Sequence, residues 1–183
     1  MSKITVIQVI TNGERGFPYD SIVQIGYVTV DTESDVLDEG TLVTIRSDRD
    51  GWPQREREYV GDRVSDEELE NGLDMDEAVI KVRSGLRGKD ATSFEISNTF
   101  GKYLSFEPWD LTLETSILPS ISFRLPSTVR GMDTSKENLF IDRAYSRYLP
   151  DDPLGTGGKR RDALDYAKES AMLLLFLRLK GLY

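Results

Sequence analysis

The sequence predicts a layered α/β (α+β) domain with a mixed sheet flanked by helices. Three observations carry that prediction. Apolar, β-branched runs joined by short polar turns fill the chain from Ile4 to Ile45. Helical spacing, a short strand and further helical spacing follow, and an Ala- and Leu-rich helix closes the chain. The short connections between the first runs imply an antiparallel three-stranded meander at the N-terminus.

The first run, Ile4-Thr5-Val6-Ile7-Gln8-Val9-Ile10, is closed by Thr11-Asn12-Gly13 and reads as a strand buried on both faces. Alternation puts Ile4, Val6, Gln8 and Ile10 on one face and Thr5, Ile7 and Val9 on the other. Gln8 breaks the apolar pattern. It is either an interior amide satisfied by backbone or, with Ile10, the mark of an active-site face.

A polar loop, Glu14 to Asp20, leads to a second strand over Ser21–Asp31, and a turn over Asp31–Asp35 leads to a third over Gly40–Ile45. Arg46–Arg63, with both signs of charge, Gly51, Pro53 and Gly61, reads as a solvated loop. Ser65-Asp66-Glu67-Glu68 has capping-box spacing and opens a short helix. Asp74 to Glu77 repeats the device before a helix that presents Ala78, Val79, Val82 and Leu86 on one face and ends at Gly88. Ala91–Phe94 reads as a short strand. Asn98–Leu104 has helical spacing, stopped by Pro108-Trp109. Ile117–Phe123 is apolar but broken by Pro119 and takes no assignment. Ser127–Lys136 reads as loop, Glu137–Tyr148 as a helix, and Leu149–Gly158 as a Pro- and Gly-rich linker, so that 124–158 is a partly irregular insertion within a single domain spanning 1–183. Lys159–Lys180 is the best helix, with Ala163, Ala167, Ala171, Leu174 and Leu175 on its apolar face and Gly181 at its end.

Composition narrows the chemistry. The chain has 183 residues, 38% hydrophobic and 30% charged, which suits one globular core. The longest strongly apolar run, Met172–Leu177, is far short of the ~20 residues that span a bilayer. The Met-Ser-Lys start lacks the pattern of a signal peptide, so a cytoplasmic protein is expected, without membrane association. There is no cysteine and no histidine, which removes disulfides, thiolate metal sites and the commonest general base. The net charge of -9 makes this an acidic protein. Such a surface repels phosphate backbones on average and favours a protein partner over nucleic acid.

Three segments in order resemble the DEDD 3′–5′ exonuclease family, in its histidine-containing branch, on a ribonuclease H-like fold. Gln8-Val9-Ile10-Thr11-Asn12-Gly13 stands where that family has Asp-x-Glu followed by Thr-Thr-Gly. Ile22-Val23-Gln24-Ile25-Gly26 is similar to its second strand. Glu95-Ile96-Ser97-Asn98-Thr99, leading to Tyr103-Leu104, is similar to its Asn-x-x-Phe-Asp helix. Arg161-Asp162-Ala163-Leu164-Asp165-Tyr166-Ala167 is similar to its His-Arg-Ala-Leu-x-Asp-Ala helix. The family uses four carboxylates to hold two divalent ions and a histidine to deprotonate water. The resemblance places those carboxylates at Gln8, Ile10, Thr99 and Tyr166, and the histidine at Arg161. All five are replaced.

The resemblance, with those replacements, implies a catalytically inactive exonuclease-like domain: a pseudoenzyme acting as a binding or scaffold subunit in nucleic-acid metabolism. It implies no catalytic residues, no metal and no cofactor, and a vestigial pocket filled by the new side chains. Its partner is expected to be a protein or a second copy, with weak single-stranded nucleic-acid binding the lesser expectation. Trp52, Trp109 and the tyrosines of 138–148 are candidate interface aromatics, or core and loop packing. Lys159, Arg160 and Arg161 are either a phosphate-binding cluster at the start of the last helix or a solvated helix start. The alternative is an active exonuclease using Mg²⁺ or Mn²⁺ on relocated acids. The candidates are Glu95, which could face the pocket from a strand end, and Asp162, Asp165 and Glu169, with a surface role the ordinary expectation for all four.

Overall fold

The computed structural model describes residues 3–126 and 137–183. The loop expected at Ser127–Lys136 lies outside the described residues. Among the described residues the sheet has six strands: β1 (Lys3–Thr11), β2 (Ile22–Asp31), β3 (Val36–Leu37), β4 (Thr41–Thr44), β5 (Asp90–Thr92) and β6 (Ser116–Ile117). The path runs β3-β2-β1-β5-β6, and β4 pairs with the other part of the same edge of β2. β1 and β2 are antiparallel, whereas β5 joins β1, and β6 joins β5, in parallel. The sheet is therefore mixed, with the long β1–β2 hairpin at its centre.

The helices are α1 (Gln54–Val60), α2 (Asp66–Glu70), α3 (Met75–Leu86), α4 (Ile96–Thr99), α5 (Glu137–Tyr148) and α6 (Ala163–Leu179). Alternation along β1 decides the layers. Ile4 and Val6, with Val28 and Val30 of β2, pack against α5 and α6 through Phe140, Ile141, Leu173 and Leu174. Ile7, with Ile25 and Tyr27, packs on the other face against Ala78, Val82 and Leu86 of α3. At the far end of β1 a bulge between Ile10 and Thr11 shifts the register. There Ile10 joins a smaller cluster with Val23, Val60, Val64, Leu69 and Ala163.

Close approaches fix how the layers meet. A Cβ on Gly26 would stand 2.2 Å from the backbone of Ala163 and Leu164, so only glycine lets the start of α6 lie on β2. The amide of Ala163 donates to Gln24 Oε1 at 3.1 Å, which gives a buried side chain of β2 a partner at that contact.

Several sequence expectations change. The segment 46–63 is not solvated loop throughout: it contains α1, and Val60 and the adjoining Val64 are fully buried. Pro53 precedes α1, where a missing N–H costs nothing. The Ser65–Glu68 capping box forms, but Asp74 makes no capping bond and instead accepts from Arg46 Nη1 at 2.8 Å. The segment 98–104 is not one helix: α4 ends at Thr99 and gives way to a π-turn over Phe100–Leu104. α6 begins at Ala163 rather than Lys159, because Asp162 and Asp165 close a capping box. Ile117 belongs to β6, and Pro119 releases the chain so that Ile121 and Leu125 turn into the core.

Candidate functional site

A cleft of about 660 Å³ opens beside the C-terminal end of β1. Its walls come from distant parts of the chain: Thr11 and Glu14 after β1, Arg55, Tyr59 and Arg63 from α1 and its exit, Asn98, Lys102 and Tyr103, Glu137 at the start of α5, and Tyr166 of α6.

Local chemistry holds these groups in place. Tyr103 OH donates to Gly13 O at 2.8 Å, and Thr11 Oγ1 donates to the same oxygen at 2.8 Å. Burial pushes the phenols of Tyr59 and Tyr103 above their ordinary value. The Arg63 guanidinium lies 5.1 Å from the centre of the Tyr59 ring. The loop after β1 is clamped by Asp20, whose buried carboxylate accepts from Arg15 N at 2.6 Å and Arg15 Nη2 at 2.9 Å. Arg55 of α1 reaches the same carboxylate at 3.9 Å.

The five positions singled out by the resemblance are all placed. Gln8 is 3% exposed. Its amide is oriented so that its oxygen accepts from Phe94 N–H at 2.7 Å and its nitrogen donates to Glu137 Oε1 at 3.2 Å. Ser170 Oγ of α6 stands 3.3 Å from the same amide. Ile10 lies in the apolar cluster already described. Thr99 is fully buried, and its Oγ1 has no hydrogen-bond partner among the described residues. Tyr166 is buried yet lines the cleft, and burial pushes its phenol up to about 12.

Arg161 is not among the residues that line the cleft. Its Nη1 lies 2.6 Å from Asp142 Oδ1 of α5 and 3.0 Å from Glu169 Oε1 of α6, and its guanidinium sits 5.5 Å from the Tyr166 ring centre. Lys159, Arg160 and Arg161 are therefore not gathered into one anion cradle. Arg160 pairs with Glu68 at 2.8 Å and donates to the carbonyls of Asp62 and Arg63. Lys159 is exposed, and the Asp162 carboxylate caps the first turn of α6.

The four candidate relocated acids also have partners. Glu95 accepts from Ser122 Oγ at 2.7 Å, Ser97 Oγ at 3.3 Å and Ser120 Oγ at 3.5 Å. It borders a second cavity of about 230 Å³ between the cleft and Phe140. Asp162 and Asp165 cap each other's backbone. Glu169 is not on the surface, as a helix-face acid would be: it is fully buried, and Arg161 pairs with it. Among the described residues no group of three or more carboxylates is placed to hold a metal ion.

The acid that sequence reasoning missed is Glu137. It borders both cavities, Asn98 and the backbone of Glu95 bond to its carboxyl, and burial raises it to about 8. Burial therefore favours its protonated form. Arg55, Tyr59 and Arg63 were hidden inside the stretch read as loop. The proline before α1 was the one usable signal for them.

No protein-family model matches this sequence, and no curated protein matches it. Solved structures do. The full-length 3′-exonuclease structure covers 98% of this chain and 83% of its own, at 12% identity and a TM-score of 0.64. The nuclease domain of 3′hExo, a DEDDh family member bound to rAMP, covers 98% and 93%, at 12% identity and a TM-score of 0.59. Escherichia coli Exonuclease I in complex with a dA16 oligonucleotide covers all of this chain, at 12% identity and a TM-score of 0.66, and the chain spans 42% of that enzyme. The fold is thus the ribonuclease H-like fold of the DEDD 3′–5′ exonucleases, and the mixed sheet with flanking helices expected from the sequence is present.

Proposed function

We propose that this chain is a non-hydrolysing domain with an exonuclease fold, a pseudoenzyme that binds the end of a single-stranded nucleic acid weakly and serves as a binding subunit. The observation that carries this reading is the Arg161–Glu169 pair, a permanent cation with a fully buried carboxylate partner at the position where the resemblance expects a histidine.

Two-metal phosphodiester hydrolysis needs anionic oxygens to hold the ions and a base to activate water. The donors present do not fit a divalent pair. Ile10 offers no donor, and the Gln8 amide is taken by Phe94 and Glu137. Thr99 and Tyr166 offer neutral hydroxyls. Glu95, Asp162, Asp165 and Glu169 are engaged with serines, a helix cap and an arginine, which weighs against an active nuclease on relocated acids.

The cleft supports the choice of ligand. The net charge favours a protein partner, but beside Glu14, Glu58 and Glu137 the cleft is lined by Arg55, Arg63, Lys102 and three tyrosines, which offer cations to phosphates and rings to bases. Solved structures of the same fold hold rAMP and a dA16 oligonucleotide.

Two measurements test the reading. Calorimetry with Mn²⁺ and Mg²⁺ is expected to show no two-site binding. Incubation of a labelled single strand with Mn²⁺ is expected to leave it full length. Shortened products that vanish in Glu95→Gln would overturn the proposal.

A further inference from the structure

Beside the cleft the chain exposes a pair of aromatic rings that its own fold does not use. Phe17 is 47% exposed and Phe106 is 39% exposed, and their rings stack at 5.3 Å with 14° between planes. Tyr19, 68% exposed, follows Phe17 by two residues and has the Arg15 guanidinium 5.4 Å from its ring centre. Large apolar side chains grouped on a surface mark contact sites more often than chance does.

The pair is fixed to the wall of the cleft. Phe17 N donates to Lys102 O at 2.9 Å, and Phe106 N donates to Tyr103 O at 3.0 Å. Lys102 and Tyr103 both line the cleft. Gly16, at φ +81°, lies so close to Lys102 that a Cβ would meet it at 3.0 Å, so glycine lets the loop lie against that wall. The rings are therefore carried next to the cleft wall, bonded to the residues that form it.

We infer that the Phe17–Phe106 pair is a stacking platform for an unpaired base of a single-stranded nucleic acid, one step outside the cleft. The inference rests on the nucleic-acid reading above and names where the strand continues. Each ring has one face turned to its partner, so a flat base can extend the stack. Lys102 brings a cation to the same rim, where a strand's phosphates would run, while Arg15 there is already paired with Asp20 at 2.9 Å. A protein segment would meet the rings as an apolar surface and would not require planarity.

Fluorescence anisotropy with a labelled single-stranded deoxyoligonucleotide of about ten nucleotides tests this. The variants are Phe17→Leu with Phe106→Leu, which keep apolar bulk and remove the rings. Sedimentation of each protein runs alongside. Stacking predicts binding by the unchanged protein and about tenfold weaker binding by the double variant. It also predicts that abasic sites outside the terminal nucleotide erase the difference. Equal binding by both proteins overturns the platform and leaves the cleft reading standing. No binding by the unchanged protein overturns both. A dimer that the double variant converts to monomer assigns the rings to a self-interface and overturns the platform.

Discussion

Arg161 Nη1 lies 3.0 Å from Oε1 of Glu169, a carboxylate with no exposed surface. Asp142 Oδ1 shares the same nitrogen at 2.6 Å, so one guanidinium serves two carboxylates across α5 and α6. Removing one partner of such a buried pair leaves a charge without compensation.

Arg161→Ala is therefore expected to lower stability by about 3 kcal/mol, read from urea unfolding. Arg161→Lys keeps the charge but loses the planar fork, and should fall between the two. An Arg161→Ala protein as stable as the parent would show that this pair contributes little to the fold.

Two carboxyls set the pH dependence. Burial raises Asp142 to about 6 and Glu137 to about 8. The folded chain thus holds protons that the unfolded chain releases near pH 4, and stability falls as pH rises through these two values. Below that range the sign reverses, because Glu114, held down by Arg83 and Arg87, and Asp31, held down by the amides of Glu33 and Ser34, must be protonated. The melting temperature is expected to peak on the mildly acid side and decline toward pH 9. Glu137→Gln should remove the upper part of that decline.

Gly26→Ala would drive a Cβ into the backbone of Ala163 and Leu164. Backbone cannot rotate aside as a side chain can, so a loss of about 3 kcal/mol is expected, measured by denaturant unfolding. Little change would mean that α6 can lift from β2 at small cost.

Asp162→Ala should cost about 1 kcal/mol through the lost cap and leave binding of a single strand unchanged. That combination separates a capping role from a chemical one. Loss of a cleavage activity in the same variant would point to the relocated-acid alternative instead.

The core was legible where side chains alternate. Ile4 and Val6 on one face of β1 and Ile7 on the other follow from the strand period alone. The apolar face of α3 and the alanine stripe of α6 were readable in the same way. What escaped has a physical reason in each case. α1 buries only Val60, so its sequence carries no apolar stripe to announce a helix. The role of Glu169 depends on Arg161, eight residues away and outside the helix, a pairing no helical period predicts. Glu137 became a feature of the cleft only when the fold set the start of α5 against Gln8 and Asn98. The five replaced positions could be named from the resemblance, but their new partners could not.

The walls of the cleft are drawn from five stretches of chain, between Val9 and Tyr166, that the sequence keeps far apart. A molecule lodged there bridges the hairpin, α1, the π-turn, α5 and α6 at once, and unfolding must first expel it. Occupancy will then register as resistance to heat, rising with the logarithm of concentration above the dissociation constant. A simple thermal-shift screen of oligonucleotides, nucleotides and peptides therefore lets the polypeptide report its own ligand, with no catalytic readout required.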